Sequence, residues 1–340
     1  DEDPYLIRNK EELEKMRDLV NSPFFNSKYS RYSYKQTADI DLENEKWTPI
    51  GKRKEDGSVP FRGHYDGGNH SIVNLYVNES DKFAGLFGSM AYSGTIIIEN
   101  LSVSGTVISQ AGSVGGICGE ICASGILRNC CFIGDVSGRL YAIGGILGYI
   151  YQNGTVQNCY HIGKVTCLEN EDGGESAGGV VGRISVGNIE NAEVIVENCY
   201  HVGEVNSGKS GTAGSIVGVS WGTSLNNALV KIRNCYALNG DSSATVNGET
   251  TQSDVLVLTS GLMKKIADDL GEQFITNTNS NLNSGYPIFY WQLKGDVNTD
   301  RIFSIADMVK LQNYLLAKET FAEQQYITAD LNGDGNVDAF

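Results

Sequence analysis

The chain has 340 residues and a formal net charge of -15, which argues against nucleic acid and anionic lipid as partners, since both are held by clustered Lys and Arg. Glycine is abundant, at 41 residues, and proline scarce, at 5, a balance that implies many tight turns in place of disordered linkers. No apolar run reaches the ~18 residues of a membrane-spanning helix, and the start Asp1-Glu2-Asp3-Pro4 has no basic and apolar leader, so any export signal is expected to be gone already.

The first element is a helix over Asn9 to Asn21. Asn9 is placed to cap it, Glu11 and Glu12 fall in its first turn, and Leu13, Met16 and Leu19 or Val20 share one face. It is expected to cap the N-terminal end of the repeats that follow.

Those repeats carry a glycine-aliphatic-glycine unit: Ala84-Gly85-Leu86-Phe87-Gly88, Gly115-Gly116-Ile117-Cys118-Gly119, Gly144-Gly145-Ile146-Leu147-Gly148, Gly178-Gly179-Val180-Val181-Gly182 and Gly214-Ser215-Ile216-Val217-Gly218. The period is about thirty residues. An asparagine follows each unit, at Asn100, Asn129, Asn158, Asn198 and Asn234, and the last four precede Cys130, Cys159, Cys199 and Cys235. Each repeat thus offers three short β-like runs that cannot hide their apolar side chains alone. Stacking repeats solves this, so the expected fold is mostly β: a parallel β-helix, right-handed by the crossover rule, with Gly and Asn at left-handed corners.

The repeats resemble the GLUG repeat of bacterial surface and secreted proteins. Thr37 to Leu42, Trp47 to Gly51 and Phe61 to Ile72 are similar to that family's lead-in, and the resemblance spans roughly residues 5–292. It implies binding or adhesion. Gly261 to Leu270 reads as a second helix, and with Gly285 to Trp291 it looks like the cap that closes such repeats. The expected division is a helical cap and lead-in at 1–46, the solenoid at 47–240, a C-terminal cap at 241–293 and a last module at 295–340.

In that module Asp296, Asn298, Asp300, Ile302, Ser304 and Asp307 fall at positions 1, 3, 5, 7, 9 and 12 of an EF-hand loop, with Ile302 contributing its carbonyl. Such a set of hard oxygen donors suits Ca2+. Met308 to Leu316 then carries helical apolar spacing. A second loop starts at Asp330 and brings Asn332, Asp334, Asn336 and Asp338, but its twelfth position lies beyond Phe340.

Two loop-helix halves resemble a type I dockerin, the module that plugs cellulosomal subunits into the cohesins of a scaffoldin. The resemblance covers 295–340 and implies Ca2+ as cofactor and a secreted, cellulosome-associated protein. Positions 10 and 11 help dockerins select a cohesin, which makes Ile305, Ala306, Ala339 and Phe340 the implied contacts. The two pairs differ, against two equivalent docking orientations. Arg301 replaces the glycine of position 6, where a positive φ costs a side-chain residue about 1 kcal/mol.

Other residues invite sharper readings. The recurring cysteines are expected to form an interior column of free thiols, the alternative being a disulfide or metal ladder. His161 and His201 follow Tyr160 and Tyr200 in equivalent repeats, and an exposed ladder is expected, the alternative being a metal- or sugar-binding pair. Asp135, Lys164 and Glu204 should line up as a solvated charged row. The expected function is docking to a cohesin while the solenoid, through exposed tyrosines, presents a surface to polysaccharide, cell-surface glycan or protein. The alternatives are a polysaccharide lyase or glycoside hydrolase on the β-helix, and a structural spacer.

Overall fold

A computed structural model describes residues 3–338 apart from 23–25, 52–59, 80–82, 92–93, 95, 111, 169–174, 188, 209–211, 222–226, 239–245, 249 and 280. Among the described residues the chain builds three parallel sheets of fourteen, six and five strands, plus one antiparallel pair. Successive coils lie in register: Gly115, Gly144, Gly178 and Gly214 pair in line, as do Cys118, Leu147, Val181 and Val217. This is a β-helix-like stack, mostly β as the repeats require. Parallel pairing begins before them, since Tyr5–Ile7 pairs with Ser33–Gln36, and that strand with His64–Glu79.

The corners explain the recurring residues. Asn100, Asn129, Asn158, Asn198 and Asn234 all have φ between 50° and 55°, a left-handed turn that Asn tolerates. Each side-chain amide donates to the Asn one coil earlier, at 2.8 to 3.0 Å, and Asn100 donates to Asp66. At the next corner Gly105, Gly134, Gly163 and Gly203 have φ near 150°, and a Cβ on Gly134 would lie 1.9 Å from the Gly105 carbonyl. No other residue fits there.

Between the sheets, Cys130, Cys159, Cys199 and Cys235 form a buried column of free thiols, and all eight cysteines are free. Burial raises the Cys159, Cys199 and Cys235 thiols well above their ordinary value, so they stay protonated. Beside this column Phe132, His161 and His201 stack inward, with ring centroids 5.9 and 5.0 Å apart. They fill the space left by Gly116, Gly145 and Gly179. The histidines are fully buried, which corrects the expected exposed ladder.

The N-terminal helix spans Lys10–Asn21, capped by Asn9, and buries Leu13, Met16 and Val20. The C-terminal segment departs from expectation. In place of one helix there are two short ones, Ser260–Met263 and Ala267–Leu270, and the last coil's strand Gln252–Leu258 remains largely exposed. Residues 259–293 run back along the flank of the large sheet. Asn234 donates to the Asp269 carbonyl, Tyr200 to that of Pro287, Tyr160 to Gln292, and Gln292 to Ser102. Tyr160 and Tyr200 therefore stack beneath this strap with Phe274 and Phe289, and neither serves as an exposed sugar-binding ring.

Candidate functional site

The strap delivers the C-terminal module to the flank of the first coils. In its first loop both oxygens of Asp296 accept backbone N–H groups, from Asp300 at 3.2 Å and Arg301 at 2.8 Å. Asn298 accepts from Asp300, and Asp300 from Ile302. Asp307 reaches back across the loop and accepts from Asn298 and Ser304. Ser304 caps the helix Ile305–Leu315 and forms a capping box with Asp307. Arg301 adopts φ 71°, the left-handed backbone expected of position 6.

The second loop repeats this scheme. Asp330 accepts from Gly333 and Gly335, Asn332 from Asp334, and Asp334 from Asn336, while Gly335 at position 6 has φ 84°. Asp338 is exposed, and Ala339 and Phe340 lie outside the described residues.

Among the described residues no three His, Cys, Asp or Glu side chains converge closely enough to hold a metal by themselves. The donor set of an EF-hand loop is broader, since it adds amide, hydroxyl and main-chain oxygens to the carboxylates. Each carboxylate oxygen engaged by one N–H keeps a further lone pair for an ion. Asp296 and Asp307 are both almost wholly buried. Burial pushes the Asp296 carboxyl up from its ordinary value; the Arg301 N–H pulls it down, while the Asp307 and Asp300 charges raise it again. Crowded, desolvated carboxylates facing all-oxygen partners fit a hard cation such as Ca2+.

The helix that follows has two faces. Leu311 and Tyr314 turn inward to a small core with Val297, Phe321, Ala329 and Val337. Ile305 is 79% exposed and Met308 63%, and Val309, Leu315 and Leu316 are also exposed, as are Ile302 and Phe303 in the loop. Ala306 is exposed beside them. The apolar spacing of 308–316 had marked a helix, but the spacing alone did not reveal how much of it faces outward.

The module's other side meets the stack, a contact without a local signal in the sequence. Asp39 N–H donates to the Gly333 carbonyl at 2.9 Å, Lys35 pairs with Glu323, and Lys294 approaches Asp39 at 3.9 Å. Burial works against the Asp39 carboxylate, yet His70, Lys294 and the Ser71 N–H together hold its pKa below the ordinary value. A cleft between the two parts is lined by Leu6, Gln36, His70, Tyr326 and Asp330.

On the stack, Asp135, Lys164 and Glu204 do form an aligned, exposed row, in which the Lys164 ammonium lies 3.6 Å from Glu204 and the Lys164 main-chain N–H donates to Asp135. The buried His161 and His201 have their Nδ1 atoms 3.0 Å apart. Burial lowers the His161 pKa to about 4, and burial with the His161 charge lowers that of His201 further from its ordinary value.

Comparison with known proteins gives three results. Residues 294–340 match the dockerin type I domain. Over 138 residues the chain is 30% identical to halomucin of Haloquadratum walsbyi, a match covering 38% of this chain and 1% of that much longer protein. A crystal structure of a "putative immunoglobulin A1 protease" from Bacteroides ovatus superposes with a TM-score of 0.62 at 20% identity, covering 85% of this chain and 93% of that one. That likeness concerns fold alone.

Proposed function

We propose that this is an exported component of a cellulosome-like assembly, docked to a cohesin through its C-terminal module. Ca2+ is held by Asp296, Asn298, Asp300, Ser304, Asp307 and the Ile302 carbonyl, and a second ion by Asp330, Asn332, Asp334, Asn336 and Asp338. Bound calcium supplies positive charge that ties the loop to the start of the helix. The observation that carries the reading is the exposed apolar face of Ile305–Leu315, which begins directly at a loop matching the dockerin type I domain. A face of Ile305, Met308 and Val309 is of the kind a partner must cover.

The coils are read as right-handed and GLUG-type, presenting their surface to polysaccharide. The pairing of Lys164 with Glu204 in solvent, and the burial of His161 and His201 with each other and main-chain carbonyls as hydrogen-bond partners, favour binding over hydrolysis or elimination at those positions. Calorimetric titration with calcium, and cohesin pull-down with and without chelator, test the docking half. Asp296→Ala should weaken calcium binding at least ~10-fold and abolish calcium-dependent pull-down; unchanged calcium uptake would sink the assignment.

A further inference from the structure

Among the described residues Arg183 is the one buried Lys or Arg. It is 6% exposed, its Nε is sealed without a hydrogen-bond partner, and among the described residues the guanidinium makes no hydrogen bond or ion pair. Burying a charge without an acceptor is unfavourable. Two rings offset part of that cost, since Tyr141 lies 4.4 Å and Trp221 4.0 Å from the guanidinium carbon. Rings cover a guanidinium's flat faces and leave its in-plane N–H groups unsatisfied. Only Nε is sealed in this way, so the terminal nitrogens keep access to solvent.

The surroundings are built to hold this arrangement. Tyr141 has φ 77°, a left-handed backbone that a bulky residue rarely adopts, and its carbonyl is fixed by the Ser176 N–H of the next coil at 2.9 Å. The Tyr149 ring meets Tyr141 edge-on at 5.2 Å. In the sheet, Tyr149 pairs with Arg183, while Tyr151, Ser185 and Trp221 share the adjoining row. Trp221 is 48% exposed and Tyr141 41%, so both offer ring surface to a ligand as well as to the cation.

We propose that Arg183, Tyr141 and Trp221 form a subsite for a carboxylate-bearing sugar, a uronate or sialate residue. The guanidinium's terminal nitrogens match a carboxylate in one plane, and the exposed rings take the apolar face of the pyranose. An acidic peptide would answer the charge but give the two rings nothing flat to stack on. The net charge of -15 opposes polyanions at long range, but at physiological salt that field is screened within ~8 Å. The subsite rests on the reading that the coils bind saccharide and names the class they take.

The test is affinity electrophoresis of the full chain in polygalacturonate, in fully methyl-esterified pectin and in polyglutamate, with calorimetric titration of sialyllactose. Wild type should be retarded by polygalacturonate or should bind sialyllactose, and methyl esterification should remove the retardation. Arg183→Gln should weaken binding at least ~10-fold, the loss expected for a charge-assisted contact. Trp221→Ala, which removes a half-exposed ring and does not threaten the core, should weaken it too. Calcium-dependent cohesin pull-down, unchanged in both variants, checks their folding and tests the docking reading separately. Equal retardation of wild type and Arg183→Gln, or equal retardation by polyglutamate and polygalacturonate, overturns the subsite. Retention by the neutral pectin alone overturns it while leaving saccharide binding intact, and no glycan binding at all overturns both.

Discussion

Asn158 illustrates how single residues hold the coils. It adopts φ 52°, donates to Asn129 at 2.9 Å and accepts from Asn198 at 3.0 Å. Asn158→Gly keeps the backbone but loses both amide contacts, at ~1 kcal/mol each, and Asn158→Ala adds roughly 1 kcal/mol of left-handed strain. Urea unfolding should therefore rank wild type above the Gly variant and Gly above Ala; the reverse order for the two variants would show that backbone strain is not what the corner demands. His161 links pH to stability. Its pKa falls from 6.5 to about 4 on folding, so between those values the unfolded chain binds more protons. The contribution is fully present above about pH 6.5 and is lost as pH falls, on the order of 3 kcal/mol by pH 4. His161→Phe, which continues the Phe132 stack, should flatten that part of the pH dependence in denaturant melts. The burial of His161 was legible in principle: it lies two residues after Cys159 on one strand run, and strand parity places both on the inner face. The polarity of the imidazole argued the other way, and the vacancy left by Gly145 decided it.

The helix Ile305–Leu315 is the element on which docking depends. The helix itself was readable, though only from Met308; it starts at Ile305, where Ser304 and Asp307 form a capping box as well as holding loop positions. Its outer face was not, because periodic spacing marks apolar positions without saying what covers them. Ile305→Asp puts a charge at the most exposed end of that face, where a partner would desolvate it. Cohesin affinity should fall ~100-fold, as at an interface hot spot, with calcium binding at the first loop unchanged. Surface plasmon resonance at saturating calcium would check this, and undiminished affinity would move the contact elsewhere. The strap shows the complementary limit. Met263, Ile266, Ala267 and Leu270 have helical spacing, yet the chain breaks into two turns so that it can follow the sheet's flank. That flank is contributed by residues as distant as Ser102 and Tyr160, and no local pattern encodes such a contact.

For the whole molecule, the repeat made the stack legible and said nothing about how the last module sits. The module follows the C-terminal cap directly in sequence, yet its contacts are with the first coils. That mount should depend on close backbone approach more than on surface charge. The Asp39 N–H bonds the Gly333 carbonyl, and a Cβ on Gly333 would fall 2.3 Å from the Asp39 carboxylate and 2.9 Å from its Cβ, whereas Lys35–Glu323 is an exposed pair of the kind worth ~0–1 kcal/mol. In small-angle scattering, Lys35→Ala should leave one compact particle, and Gly333→Ala should broaden it while first-loop calcium binding persists. Identical curves for the two variants would mean that the contact at Asp39 does not hold the module.

Because the strap doubles back, the C-terminal module lies against the first coils, and this sets the path of mechanical force. A pull between an anchored Ile305–Leu315 helix and a ligand on the coils enters through the Asp39 contact and is shared along the strap by Gln292, Pro287 and Asp269. These attachments lie on successive coils, so they are loaded together in shear. A module hung from the last coil would instead have been peeled away one attachment at a time.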